Sequence, residues 1–373
     1  MTTILVFRTD TTGLWREKIT GIADFAKTGG WRVQTVDART QHPDVRRLVD
    51  FWKASGIILD ASGETHGLNL TELLRLPCVC LTPSSDAVRD SMPAVCSSPR
   101  KIAELAAREL LRRDIRTLAF VDEPGAPGWA TTKREAFRKI AGLHGFKLAV
   151  VKPHELTGLA RPIGLFAVTD NLAAETLVAA ERAGLRVPED LSVVGVDDNP
   201  EICENCAPTL SSVRPDFHRL GFAAAQLLRE RILFPRRKTK SIEISPLGLV
   251  RRASSDAHAD VCVSRALEKI RLYACEGLSV GEIAGLFGPC SRRSAELRFK
   301  AATGKTMTEA LVEARLSRAR DYLKEDKLSV SAVANFCGWK SDIAFRKAFK
   351  KQFGCLPTDL RKKRQQAQRA PAS

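Results

Sequence analysis

LSVGEIAGLFGPCSRRSAELRFKAATGKTM, residues 278–307, is answered further along the chain by LSVSAVANFCGWKSDIAFRKAFKKQFGCLP, residues 328–357. The two segments align without a gap. Leu278, Ser279 and Val280 fall on Leu328, Ser329 and Val330; Gly288 and Ser291 fall on Gly338 and Ser341; Phe299, Lys300 and Gly304 fall on Phe349, Lys350 and Gly354. In each copy a Ser N-cap opens a short helix whose apolar residues share one face, Val280, Ile283 and Ala284 in the first and Val330, Val333 and Ala334 in the second. A glycine ends that helix. A second Ser caps the next helix, which buries a Phe and carries polar and basic residues forward. This is the pattern of a helix-turn-helix, whose second helix enters the major groove of DNA. Two copies of one unit in a basic segment imply two like contacts on one long, regular, acidic partner, double-stranded DNA.

Charge supports that partner. The 373-residue chain has a formal net charge of +16, and residues 259–373 hold 23 Lys and Arg against 12 Asp and Glu, whereas residues 1–258 hold 36 against 31. The basic excess is concentrated in the doubled segment, as phosphate neutralisation requires. The length predicts two or three domains, and 44% hydrophobic residues are ample for buried cores. The opening TILVFR has neither the basic flank nor the length of a signal peptide, and no run approaches the ~20 apolar residues of a membrane span, so a cytoplasmic protein with no membrane partner is expected. Most of the ten cysteines lie in apolar runs and read as reduced small hydrophobes. Cys203-x-x-Cys206 is the one metal-like spacing and has no second pair to complete it. Neither a metal nor a cofactor is expected.

Ahead of the doubled segment the chain alternates strand and helix. Residues 3–8, 31–36, 56–60 and 77–81 read as buried strands, with helices at 15–28 and near 43–54 between them. The rhythm restarts with helix 99–113, strand 117–121, helix 129–144, strands 146–151 and 164–168, helix 172–184 and a strand ending at Asp197-Asp198. A long helix at 215–234 and a last strand at 241–252 close the segment. Buried strands alternating with helices predict parallel sheets, arranged as two α/β lobes. Ligands bind beyond the carboxyl ends of such strands, where Asp10, Asp60, Asp170 and Asp197 stand. The expected layout is a two-lobed domain over 1–252, a small polar linker over 253–261, an all-α DNA-binding domain over 262–365 and a disordered tail over 366–373.

Specific stretches resemble known families. SRRSAELRFKAATGKT (291–306), ARLSRARDYL (314–323) and VANFCGWKSDIAFRKAFKKQFGCLPTDLR (333–361) resemble the AraC/XylS-type DNA-binding domain, with Leu297 where that family often has Arg and Asp359-Leu360-Arg361 in place of its acidic-Tyr-Arg ending. FAVTDNLAAETLVAAERAGLRVPEDLSVVGVDD (166–198) and PTLSSVRPDFHRLGFAAAQLL (208–228) resemble the effector domain of LacI/GalR repressors, which has the periplasmic-binding-protein fold. The order of the two domains resembles the bacterial xylose-responsive activators, and residues 10–31 and 128–140 fit that family too. The resemblance implies a transcription regulator controlled by a small sugar, D-xylose first. It implies a homodimer through the sensor lobes, and RNA polymerase as a partner if the protein activates. Another pentose, a hexose or a purine remains an alternative effector. An enzyme fused to a DNA-binding domain is the rival class, for which the chain shows no nucleophile elbow.

Roles follow from the resemblance. Asp197 takes the place of the sugar-binding carboxylate, Arg134 that of the sugar-binding arginine, and Thr169 and Asp170 that of the polar pair after the preceding strand. Asp10, Asp60 and Glu64 would face them from the first lobe. Carboxylates and guanidinium groups suit vicinal hydroxyls through charge-assisted hydrogen bonds, and Trp15 or Trp129 would stack on the sugar ring. On DNA, Ser291, Arg292, Arg293, Glu296 and Leu297 belong to the first recognition helix, with Arg293 suited to guanine and Glu296 to cytosine. The second presents Ser341, Asp342, Arg346 and Lys347. Lys340, Lys350, Arg298 and Lys300 are expected on phosphates, which position rather than specify. The second helix is expected to anchor more than it specifies.

Overall fold

Buried apolar runs become most of the central strands of two separate six-stranded sheets, with half-exposed strands at the edges. The computed structural model describes residues 2–9, 14–38, 43–63, 67–122, 127–256, 261–323 and 329–360. The first sheet is built from β1 (Thr3–Arg8), β2 (Arg32–Asp37), β3 (Gly56–Asp60), β4 (Cys78–Leu81) and β5 (Ala94–Ser97). The second is built from β6 (Thr117–Val121), β7 (Ala149–Val151), β8 (Ile163–Ala167), β9 (Leu191–Val196) and β10 (Ser211–Arg214). Two short late strands, β11 (Ile242–Ile244) and β12 (Gly248–Val250), complete them. The strand orders are β11-β5-β4-β3-β1-β2 and β12-β10-β9-β8-β6-β7. Pairing is parallel throughout, except that β12 runs antiparallel to β10. The expected two-lobed α/β architecture is therefore the observed one.

Residues 241–252, read above as one strand, are two. Ile242–Ile244 joins β5 in the first sheet, and Gly248–Val250 joins β10 in the second. Pro246 lies between them and has no N–H to continue a ladder. The chain thus passes between the lobes here, and it does so twice more. Helix Pro99–Leu110 follows β5 yet buries Ile102, Ala103, Ala106 and Leu110 in the core of the second lobe. Helix Phe217–Leu233 follows β10 yet packs on the first lobe, where the Leu228 and Ile232 side chains cover Gly56. Strands β5 and β10 escaped the sequence reading because they are short and partly polar. Ser211, Ser212 and Arg214 of β10 are fully buried and held by hydrogen bonds instead of apolar contact.

The helix after β1, Trp15–Gly29, crosses Phe217–Leu233 at very short range. A Cβ at Gly221 would lie 1.9 Å from the Lys18 carbonyl oxygen, and one at Gly21 would lie 1.9 Å from that of His218. Only glycine at both positions lets the two backbones touch. A buried polar chain lies beside the crossing. Arg214 donates to the Asp198 carbonyl (3.0 Å) and pairs with Glu17 of the other lobe, while Asp198 pairs with Arg252 (2.7 Å).

The first compact unit ends at Ala257. This corrects the linker reading for residues 253–256. Ser254 is fully buried, donates to the Val193 carbonyl (2.7 Å) and accepts from the Ser211 amide (2.8 Å); Ser255 donates to Glu109 (3.0 Å). Small polar residues were read as solvated, but here their hydroxyls bond the interior strands β9 and β10 and the Glu109 carboxylate. Residues 257–260 lie outside the described residues, and Val261 begins a helix. The expected tail at 366–373 also lies outside them.

The second unit is helical among the described residues. Helix Val261–Tyr273 leads to Val280–Ala284 and Arg292–Thr303, then the connector Met307–Leu323, then Val330–Phe336 and Asp342–Phe353. The repeat is kept atom for atom at its key positions. Ser279, Ser291, Ser329 and Ser341 each accept a backbone amide at a helix start, and Ser279 forms a full capping box with Glu282. Phe299 and Phe349 are fully buried, and Gly304 (φ 73°) and Gly354 (φ 71°) cap their helices in the left-handed conformation. The connector rises about 25 Å along its axis.

Candidate functional site

The strand ends predicted to collect polar groups do converge. A cavity of about 550 Å³ opens between the lobes of the first unit. Lys18, Ser62, Arg89 and Phe217 line it from the first lobe, and Trp129, Lys133, Thr169 and Asp197 from the second. Lys133 is one of its cations, with Lys18 and Arg89. Its ammonium donates to the Val168 carbonyl (3.2 Å) and lies 4.6 Å from the Trp129 ring centroid. Burial holds its pKa below the usual lysine range, and the carboxylates of Asp197, Asp170 and Asp122 pull it back up. Lys18 donates to Asp60 (2.9 Å) and Ser62 (3.1 Å) on the opposite wall. Two hydrogen bonds join the lobes beside the cavity: the Trp129 indole to the Ser62 carbonyl (3.1 Å) and the Gly128 amide to the Ser84 carbonyl (2.7 Å). The geometry is that of a closed cleft, with charges and aromatic faces turned to the same space.

The sequence-predicted residues fall into several places. Asp197 and Thr169 line the cavity. Asp197 has φ 109°, a backbone conformation rare outside glycine, and its neighbour Asp198 has φ 53°. This kink at the end of β9 sends Asp197 to the cleft and Asp198 into the buried Arg252 pair. Asp170 lies under the wall, accepting from Ser212 (2.6 Å), the Asn199 amide (2.8 Å) and Cys203 (3.3 Å). Burial, then the charge of Asp197, push its pKa well above the carboxylate range. Asp60 stands behind Lys18, fully buried. Arg134 is not among the lining residues: it pairs with Asp122 (2.9 Å). Trp129 lines the cavity, whereas Trp15 is buried beneath the Arg8 guanidinium. Asp10 and Glu64 lie outside the described residues.

Sequence reasoning missed Lys18 and Lys133, although a signal was present. The buried face of helix Gly128–Leu143 runs through Ala130, Lys133, Phe137 and Ala141. Lys133 occupies an apolar-face position in that spacing, and Arg134 is one residue out of phase with it. Lys18 stands likewise on the buried face of its helix, with Ile22 and Phe25. A lysine in the apolar stripe of an amphipathic helix is held by a buried partner or a ligand.

In the second unit the two recognition helices expose the expected stripe. Ser291, Arg292, Arg293, Leu297, Arg298 and Lys300 are exposed, opposite the buried Ala295 and Phe299. Lys340, Ser341, Lys347 and Lys350 are exposed in the second copy, opposite Phe345 and Phe349. Glu296 is half-buried and accepts from Arg292 (3.0 Å); Asp342 and Arg346 are half-buried and paired with each other (2.9 Å). Among the described residues no group of three or more His, Cys, Asp or Glu could hold a metal ion, and no helix is long and apolar enough to cross a membrane.

Comparison with known proteins meets this geometry. Residues 107–255 match the periplasmic binding protein-like domain family, and residues 289–363 match a helix-turn-helix domain family. The xylose operon regulatory protein of Escherichia coli (strain K12) is 26% identical over 332 residues, covering 83% of this chain and 84% of its own. That of Haemophilus influenzae is 25% identical over 370 residues, covering 93% and 94%. The chain is homologous to the xylose operon regulatory proteins. The solved structure of the xylose-binding transcription activator xylR has the same fold, with a TM-score of 0.56 and 24% identity over 96% of this chain and 97% of its own. In this homologue, then, the two-lobed unit is the periplasmic-binding-protein-like part and the doubled motif is the helix-turn-helix part.

Proposed function

We propose that the cleft binds a small neutral sugar, D-xylose first, and that its occupancy controls a DNA-binding transcription regulator. The observation that carries this reading is Lys133 and Asp197 on one wall of an interlobe cavity, with Trp129 beside them. A carboxylate accepts from sugar hydroxyls and an ammonium donates to them, while an indole face covers the C–H side of the ring. The volume falls in the range of about 300–1,000 Å³ typical of small-molecule sites. The sugar would bridge walls from both lobes, so it favours the closed arrangement by its differential affinity for it. The three chain crossings act as the hinge about which the lobes part. Thr169 lines the cavity, and Asp170 and Asp60 act through what they hold, the Asn199 amide and the Lys18 ammonium.

Ser291, Arg293, Glu296 and Leu297 meet base edges in the major groove, as do Ser341 and Lys347. Arg292 and Arg346, each drawn to a neighbouring carboxylate, flank them with Asp342. Arg298, Lys300, Lys340 and Lys350 neutralise phosphates. The regulator acts in the cytoplasm as a homodimer through its sensor lobes, and as an activator it recruits RNA polymerase.

Thermal-shift and calorimetric titration of the full chain with D-xylose, L-arabinose, D-ribose, D-glucose and hypoxanthine tests the effector. A pentose is expected to raise Tm and bind with saturable heat. No response to any sugar would overturn the reading. Light scattering and in-vitro transcription with RNA polymerase read out the dimer and the sign of regulation.

A further inference from the structure

The doubled motif is gapless, yet its exposed positions are not equivalent. In the first recognition helix the first turn presents Arg292 and Arg293 and the next presents Glu296 and Leu297. The second helix aligns Asp342 and Ile343 with the first pair, and Arg346 and Lys347 with the second. A block of two cations and a block of one acid and one aliphatic have changed places. The intrahelical ion pairs change hands with them, Arg292 to Glu296 in one helix and Arg346 to Asp342 in the other. Both aliphatic side chains stand out from the surface, Leu297 at 62% exposure and Ile343 at 81%, on helices whose other faces bury Phe299 or Phe349 completely.

Exposed aliphatics inside a basic major-groove stripe have one natural contact on B-DNA. The C5-methyl of thymine is the only apolar group a base pair presents in that groove. We propose that Leu297 and Ile343 each read a thymine methyl, and that the two helices read their half-sites in opposite order. The inference rests on the DNA-binding reading. Arg293 and Leu297 are four residues apart, about 6 Å of helix rise, or about two base pairs at 3.4 Å each. In the first half-site a guanine faces the start of the recognition helix and a thymine follows about two base pairs on. In the second the thymine faces the start, at Ile343, and the guanine follows at Lys347. The expectation that the second helix chiefly anchors phosphates counted hydrogen-bond donors alone; apolar contact makes Ile343 a specificity residue.

The test uses the full chain. Preferred sites are selected from a random duplex library, with and without D-xylose, and each thymine of the selected site is replaced singly by deoxyuridine, which pairs identically but lacks the methyl. One thymine per half-site is expected to weaken binding about four-fold on replacement, the worth of one buried CH2-sized group. Ile343→Ala, at an exposed helical position, is expected to erase the effect at one of them and Leu297→Ala at the other, each leaving the remaining effect intact. A selected site indifferent to deoxyuridine, or an effect that survives the matching alanine variant, overturns the inference alone. So does the same guanine-thymine order in both half-sites. Failure to enrich any sequence overturns the DNA-reading assignment and this inference with it.

Discussion

Lys133 and Arg134 are neighbours in sequence and differ in fate, which makes them a sharp test of the cleft. Lys133→Met keeps the length of the side chain and its cover on Trp129 but removes the ammonium. In the structure one N–H of that ammonium goes to the Val168 carbonyl (3.2 Å), so the others are available to a hydroxyl in the cavity. A hydrogen bond to a charged group is worth ~1.5–3 kcal/mol, so the variant is expected to bind D-xylose roughly 10- to 150-fold more weakly. Stability should move differently. A buried lysine with a lowered pKa loses its proton more readily folded than unfolded, so at neutral pH its charge opposes folding. Removing it relieves that cost, against the loss of one hydrogen bond to Val168. Lys133→Met is therefore expected to keep or raise Tm while losing affinity. Arg134→Ala breaks the Asp122 pair (2.9 Å) outside the lining and is expected to keep most of the affinity. Calorimetric titration and thermal melts of both variants decide it. Wild-type affinity in Lys133→Met, or an equal loss in Arg134→Ala, would refute the argument.

Gly221→Ala places a Cβ 1.9 Å from the Lys18 carbonyl; prising the helices apart should cost ~3 kcal/mol or more, seen as a lower urea midpoint, and an unchanged midpoint would deny the close crossing. Asp170 has a raised folded pKa, so between the ordinary carboxylate value and the folded one the native state holds a proton that the unfolded state has released. Its contribution to stability accordingly falls as pH rises through that window, and Asp170→Asn should flatten the decline at pH values above the ordinary carboxylate range; identical slopes in the two proteins count against it. Ser341→Ala removes the oxygen that accepts the Ala344 amide (3.3 Å) and should cost about 1 kcal/mol of stability, measurable by urea titration. Arg293→Ala should lose ~1–3 kcal/mol of discrimination at one base pair, and an unchanged sequence preference in a repeated site selection would remove Arg293 from the readers.

The doubled motif was legible in the sequence almost to the atom. Helix-turn-helix signals are local: a Ser at each N-cap and a Phe on each buried face need only a few neighbours to take effect, and both appear where the repeat placed them. The glycines read as ending the first helices, Gly288 (φ 73°) and Gly338 (φ 77°), lie past the caps Gly285 and Cys337. The two-lobed α/β class was legible for the same reason, since an apolar run of strand length declares itself without knowledge of its partner. Tertiary structure alone decided which lobe each late segment serves. Nothing local marks Phe217–Leu233 for the first sheet, or splits 241–252 between two, because those choices come from contacts made far along the chain. The effector cleft divides along the same line. Asp197 stands out at the end of a strand, but which of Lys133 and Arg134 turns inward depends on a rotation of about 100° per residue about a helix axis, and that phase is set by the core packed around Phe137.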